Sequence, residues 1–331
     1  MTFITPILES LCLHLSKTRF GSFVYYCLLW CYQHVRLIIK RLSRKTGGSP
    51  KPFKLFYFTN TKNFGDVLNE ELMRHFGIDY DSVESYDANL ICIGSVLDEL
   101  LQNRARTLRF SKEICVLGSG FMMPREDPKE RFNRPVGIYA LRGKLSLERC
   151  EGMLHTKLQD VVLGDPGLLV RKFFPHLQKK HEYDVGLICH LKDRGSKLLD
   201  NIQLKDKKIL KIDVALSPFD FCSKVTSCDF ILSSALHGLI CADAFGIPNK
   251  WLVISGHVEG GGYKFRDYYS VYESIEMPQP VDLRKTVIED RDVDRFQAEY
   301  ADVSPQVERI CDGLERAFGK VIADRRLVSG K

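Results

Sequence analysis

Asp229-Phe230-Ile231-Leu232-Ser233-Ser234-Ala235-Leu236-His237-Gly238-Leu239-Ile240-Cys241-Ala242-Asp243-Ala244-Phe245-Gly246-Ile247-Pro248 is the stretch on which the fold turns. Phe230–Leu232 is a short, continuous apolar run of the kind a buried strand needs, and two serines stop it. His237-Gly238 then opens a run of small and apolar residues that predicts a helix, which Gly246-Ile247-Pro248 terminates. An apolar strand feeding directly into a helix is the repeating unit of an α/β protein. The lack of polar alternation implies a parallel sheet covered on both faces.

The same unit recurs outward in both directions. Upstream, strands are expected at Leu55–Thr59, Leu90–Gly94, Ile114–Leu117, Val136–Ala140 and Val161–Leu163. In the second half they are expected at Val185–Cys189, Ile209–Ile212, Phe230–Leu232 and Trp251–Ile254. Around Phe173–Tyr183 the composition turns to Pro, Lys, His and Gln, which marks a crossing between domains. The expected fold is α/β, with two Rossmann-like lobes facing a cleft: residues 51–178 and residues 179–331, the latter with closing C-terminal helices. A chain of 331 residues is long enough for both.

Charge is distributed unevenly. Lys and Arg number 48 against 42 Asp and Glu, a net +6. Within residues 1–50 the cations Lys17, Arg19, Arg36, Lys40, Arg41, Arg44 and Lys45 face only Glu9, so the rest of the chain sums to zero. A neutral body lacks the basic face that nucleic-acid binding requires. Residues 20–32 are apolar and aromatic but shorter than a spanning helix, and the charge follows them rather than preceding them, unlike a signal peptide. Val35–Lys45 interleaves apolar and basic residues. The segment 20–45 reads as an amphipathic helix on a membrane surface, or as a helix packed on the body or on a partner. Thr46-Gly47-Gly48-Ser49-Pro50 is a linker. The expected location is the cytoplasm, peripheral at the membrane's cytoplasmic face. Eleven cysteines without a Cys-x-x-Cys pair suit buried, reduced thiols rather than a zinc site or a disulfide framework.

Four places beyond strand ends could carry chemistry. Asn63-Phe64-Gly65-Asp66 puts a carboxylate where a helix begins, either as a cap or as a group facing a cleft. Leu141-Arg142-Gly143 puts an arginine after a strand, either as an anion clamp or as a solvated surface charge. His237 lies at a strand–helix junction beside free backbone N–H groups, a position suited to acid–base work. Gly256–Ser270, with three consecutive glycines before Lys264 and Arg266, is either an anion-wrapping loop or a flexible surface loop. It lacks P-loop spacing, so a nucleoside triphosphate is not implied.

Taken together, Asn63-x-Gly65-Asp66-x-x-Asn69, Leu141-Arg142-Gly143, Ser233-Ser234-Ala235-Leu236-His237-Gly238 with Gly246-Ile247-Pro248, and Lys264-Phe265-x-Asp267-Tyr268-Tyr269-Ser270 resemble the polysaccharide pyruvyl transferase family over roughly residues 54–275. The resemblance implies a GT-B-like fold, phosphoenolpyruvate as donor, a sugar of a surface polysaccharide or its lipid-linked precursor as acceptor, and a cyclic pyruvate ketal as product. Phosphoenolpyruvate would be a co-substrate, with no cofactor and no metal. His237 is then the general acid or a donor-phosphate ligand, and Asp66 the base for a sugar hydroxyl. Arg142, Ser234, Leu236, Gly238, Lys264 and Arg266 are expected on the donor, and Asn63, Asn69, Asp267 and Tyr268 on the acceptor. Many members have an arginine just before Leu-His-Gly. Here Ala235 stands there, leaving Lys264 or Arg266 to supply the cation. The alternatives are a nucleotide-sugar glycosyltransferase on a similar scaffold, or a binding relative without turnover. The sequence leaves the oligomeric state open.

Overall fold

The computed structural model describes residues 53–101, 113–125, 127–273 and 275–329. The basic segment at 20–45 lies outside the described residues.

A first sheet of six parallel strands runs β1 (Phe53–Leu55), β2 (Tyr80–Ser82), β3 (Leu90–Ile91), β4 (Ile114–Leu117), β5 (Val136–Leu141) and β6 (Val162–Leu163). Their spatial order is β2-β1-β3-β4-β5-β6. Helix α1 (Phe64–His75) connects β1 to β2, α2 (Lys144–Leu154) connects β5 to β6, and the short α3 (Val170–Phe173) precedes the crossing. The second sheet has five parallel strands: β7 (Tyr183–Ile188), β9 (Ile209–Ile212), β10 (Cys228–Ser233), β11 (Asn249–Val253) and β12 (Val281–Asp282), in the order β12-β11-β10-β7-β9. Between them lie α4 (Pro218–Val225), α5 (Leu236–Ala244) and α6 (Tyr263–Tyr269). A separate two-stranded pair joins β8 (Ile202–Gln203) to β13 (Ile288–Glu289), and α7 (Asp290–Glu299) and α8 (Ser304–Ser329) close the chain.

Counted within each sheet, the strands follow the order 2-1-3-4-5, to which the first sheet adds a sixth strand at the far edge. This is the flavodoxin-like variant of the doubly wound class rather than the Rossmann order, and its ligand crevice opens at the switch point between the first and third strands. Here the switch points are β1/β3 and β7/β10.

The expected strands are all present, with shifts of a few residues. Leu55–Thr59 is realised as Phe53–Leu55, and Leu90–Gly94 shortens to Leu90–Ile91. Strands β2, β8, β12 and β13 are additional. Each is two or three residues long with at least one polar side chain, too short to produce an apolar run.

One hydrophobic core spans the two lobes, beside a smaller cluster mainly in the first and another in the second. Phe64 of α1 stacks on Phe221 of α4 with ring centroids 3.9 Å apart, and the Phe64 N–H donates to the Val214 carbonyl at 2.6 Å. Each such buried ring contributes about 1.5–3 kcal/mol. Helix α8 returns to the first lobe, where Phe318 stacks on Phe76 at 4.5 Å. The eight described cysteines are free thiols, and all but Cys189 are buried. Among the described residues no helix is long and apolar enough to cross a membrane.

Candidate functional site

A hollow of about 110 Å³ opens where the two switch points meet. The segment after β1 contributes Phe58, Asn63, Phe64 and Asp66, and the segment after β3 contributes Gly94 and Ser95. From the second lobe, His190 follows β7, and Ala235, Leu236, His237 and Gly238 follow β10. Lys264 enters from α6.

Asp66 occupies the first turn of α1 but does not cap it. The N-cap position belongs to Asn63, whose side chain donates Nδ2–H to Asp66 Oδ2 at 3.0 Å. The carboxylate is left facing the hollow, and burial pushes its pKa up to about 6 against the opposing effects of Asn63 and Lys264. Asn69, one turn on, is fully buried. Its amide donates to the carbonyls of Asp66 and Ile93 at 3.0 and 3.1 Å and accepts the Ile93 N–H at 3.0 Å. It splices α1 to the chain beyond β3 rather than reaching a ligand.

Helix α5 begins at the hollow without a side-chain cap. Ser233 Oγ accepts the Ala235 N–H at 3.1 Å and fixes the turn. A Cβ on Gly238 would stand 2.5 Å from that Oγ, so the close strand–helix turn needs glycine. Ser234 points away from the hollow. It is buried, donates to Asp193 Oδ2 at 2.7 Å and accepts the His190 N–H at 2.9 Å. His237 lies in the first turn of α5 with its side chain 15% exposed. Burial, then the charges of Lys264 and Arg142, push its pKa down to about 3, so the imidazole is neutral. Gly65 supplies the room for this ring, because a Cβ there would collide with Nδ1. His190 is also held neutral, its pKa lowered to about 4 by burial and by Lys264.

Lys264 is the cation of the hollow. Its residue is 7% exposed, and its ammonium lies 5.7 Å from the Phe265 ring centroid. Burial and the neighbouring Arg142 lower its pKa to about 8, opposed by Asp66 and Glu259 acting through space.

Arg142 is in neither expected setting, clamp for an anion or solvated surface. It is fully buried behind the hollow. Nε donates to Asp267 Oδ2 at 3.0 Å, Nη1 to Ser95 Oγ at 2.6 Å and Nη2 to the Phe121 carbonyl at 2.6 Å. Asp267 is equally buried and also accepts from the Ser146 N–H at 2.8 Å and the Ser146 hydroxyl at 2.6 Å. The pair pins α6, and with it Lys264, to β5 and α2 of the first lobe. Gly143 is required beside it, since a Cβ there would collide with the Asp267 carbonyl.

Tyr268 lies away from the hollow, its hydroxyl donating to Asp243 Oδ2 at 2.6 Å in a buried cluster with Asn249, Tyr272 and Tyr300. Arg266 is exposed and donates to the Gly261 carbonyl at 3.0 Å. Of the twelve residues expected at the site, the hollow thus gathers Asn63, Asp66, Leu236, His237, Gly238 and Lys264. Asn69, Arg142, Ser234, Arg266, Asp267 and Tyr268 do not line it. Sequence reasoning assigned no role to His190, Ser95 or the buried Asp165. His190 and Asp165 stand two residues beyond a strand's carboxyl end and Ser95 four, so that rule, applied to every strand with that margin, points to them. Among the described residues no group of three His, Cys, Asp or Glu side chains could hold a metal ion.

An uncharacterised protein of Acanthamoeba polyphaga mimivirus is 26% identical over 238 residues, which is 69% of this chain and 77% of its own length. Among solved structures, a functionally uncharacterised protein from Klebsiella pneumoniae is 12% identical, with coverage of 75% of this chain and 97% of its own and a TM-score of 0.39. The wall teichoic acid polymerase TagF is 10% identical, with coverage of 92% and 99% and a TM-score of 0.38. The family model described as polysaccharide pyruvyl transferase matches residues 8–255, which include the segment from Asn63 to Asn69 and the whole β10–α5 junction with His237. On that match, the chain belongs to the polysaccharide pyruvyl transferase family.

Proposed function

We propose that this polysaccharide-modifying transferase moves the pyruvate group of phosphoenolpyruvate onto a sugar, closing a cyclic ketal and releasing phosphate. The observation that carries the reading is the hollow itself: about 110 Å³ with one buried ammonium, two neutral imidazoles and an uncapped helix N-terminus. A nucleoside diphosphate sugar calls for the several-hundred-Å³ pocket usual for larger ligands. A three-carbon phosphate ester is much smaller. Its two anionic groups match Lys264 and the first-turn N–H groups of α5.

The chemistry follows from the resting charges. A bound dianion raises the pKa of His237, because nearby negative charge favours the imidazolium. The protonated ring then donates to the methylene carbon as a sugar hydroxyl attacks the adjacent carbon. Asp66, ionised above about pH 6, takes that hydroxyl's proton. A second hydroxyl of the same sugar displaces phosphate and closes the ring, its proton passing to the now neutral His237. The acceptor is a glycan, free or lipid-linked, and a membrane-surface role for residues 20–45 would concentrate the enzyme around the latter.

Calorimetric titration with phosphoenolpyruvate tests the donor site. Lys264 loses its charge as pH rises through about 8, so affinity should fall about tenfold over the pH unit above that pKa, in addition to any slope from the proton His237 takes up on binding. Lys264→Met should bind at least as weakly at neutral pH and lose the part of the alkaline dependence that Lys264 supplies. Absence of millimolar binding to the wild type, or equal binding by the variant, contradicts the assignment.

A further inference from the structure

Asp165 follows β6 and Gly164 and is fully buried. Its Oδ1 accepts the Gly167 N–H at 2.9 Å and so caps the short helix Pro166–Leu169. Its Oδ2 has no hydrogen-bond partner, and neither has the buried Nε2 of His237, which it faces at 3.8 Å. An orphaned buried polar atom costs about 1–3 kcal/mol, and native structures leave few of them. Here two lie opposite each other, complementary in type: a ring nitrogen that can carry a proton and a carboxylate oxygen that can accept one. An approach of about 1 Å makes them a charge-assisted hydrogen bond.

The surroundings fix the ring in that orientation. Gly65 lies against the Nδ1 edge, and a Cβ on Gly167 would stand 3.5 Å from Cδ2. Two positions without side chains therefore flank the imidazole, and Nδ1 remains its second polar atom. The charged groups around the pair are Lys264 and Arg142 near His237, and Arg142 and Asp267 near Asp165.

We propose that Asp165 is the positioning residue for His237: its Oδ2 accepts the Nε2–H of the neutral ring, so that Nδ1 is the atom that takes up and gives back the catalytic proton. The carboxylate then stabilises the imidazolium as it forms, the part an aspartate plays behind a histidine base in hydrolases. The assignment rests on the pyruvyl-transfer reading for its catalytic consequence, but the proton's place on the ring does not.

The test is therefore made first without substrate. In uniformly ¹⁵N-labelled protein at mildly alkaline pH, two-bond ¹H–¹⁵N spectra should show His237 protonated at Nε2 and bare at Nδ1. Asp165→Asn, which keeps an oxygen for Gly167 and can turn an amide N–H toward Nε2, should shift the proton to Nδ1. In turnover, that variant should lose about 100-fold or more in kcat with little change in donor KM. A wild-type ring protonated at Nδ1 overturns the proposal even if Asp165→Asn does not fold. So does an Asp165→Asn variant of lower Tm whose tautomer and kcat match the wild type, since the aspartate would then be structural only. If phosphoenolpyruvate is not turned over while the Nε2–H tautomer and its inversion are seen, the proposed function fails and the Asp165–His237 pairing stands.

Discussion

Arg142→Met is expected to lose about 3–5 kcal/mol of folding stability in chemical denaturation, the usual cost of removing one partner from a buried ion pair. Methionine fills most of the space but leaves Asp267 as an unpaired charge at 0% exposure, and removes the donors to Ser95 Oγ and the Phe121 carbonyl. Against a typical total of about 5–15 kcal/mol, such a loss leaves a marginal protein. Arg142→Lys should recover little, because one ammonium cannot reproduce a planar fork bonded on three sides. Adding Asp267→Asn to Arg142→Met should recover part of the loss, since an amide keeps an acceptor for the Ser146 N–H without a buried charge. An arginine that served the substrate would behave otherwise: the variant would fold normally and lose only donor affinity.

His237→Ala is expected to lower phosphate release by about 10²–10⁴-fold, the range general acid–base catalysis supplies. The change should leave the fold nearly intact. The ring's Nε2 stands 3.8 Å from Asp165 rather than in a tight hydrogen bond, and the core of α5 rests on Leu239, Ile240 and Ala242, each at most 1% exposed. Loss of turnover with an unchanged unfolding transition separates this residue from Arg142, whose removal should lower the unfolding transition itself. Near-normal turnover would remove His237 from the chemistry and shift the proton transfers to His190, Asp66 or Lys264, the other titratable groups of the hollow.

What the sequence made legible follows from how locally each feature is encoded. β4 and β9 fall at the expected residues because a four-residue run such as Ile114–Leu117 carries its own signal. The β10–α5 junction was equally readable, since the strand, the serines, the glycine and the terminating Gly-Ile-Pro are contiguous. Arg142 was not. An arginine after a strand reads the same whether it faces solvent or a buried carboxylate, and its partner Asp267 lies 125 residues away. Asn69 was hidden for a similar reason: it bonds the backbone of Ile93, 24 residues on, while its own neighbourhood reads as an ordinary helix. Asp165 stands just beyond the end of β6, but only the return of α5 to that strand end shows what it faces. The strand order, and hence which four loops converge, is a tertiary property no single segment records.

The most direct measurement follows both products when the chain is incubated with phosphoenolpyruvate and a panel of synthetic and lipid-linked glycosides. The account predicts phosphate appearing mole for mole with a glycoside whose mass has grown by a pyruvate ketal. A chain that ignores phosphoenolpyruvate with every acceptor, yet binds a nucleoside diphosphate sugar saturably and transfers its sugar, would contradict it.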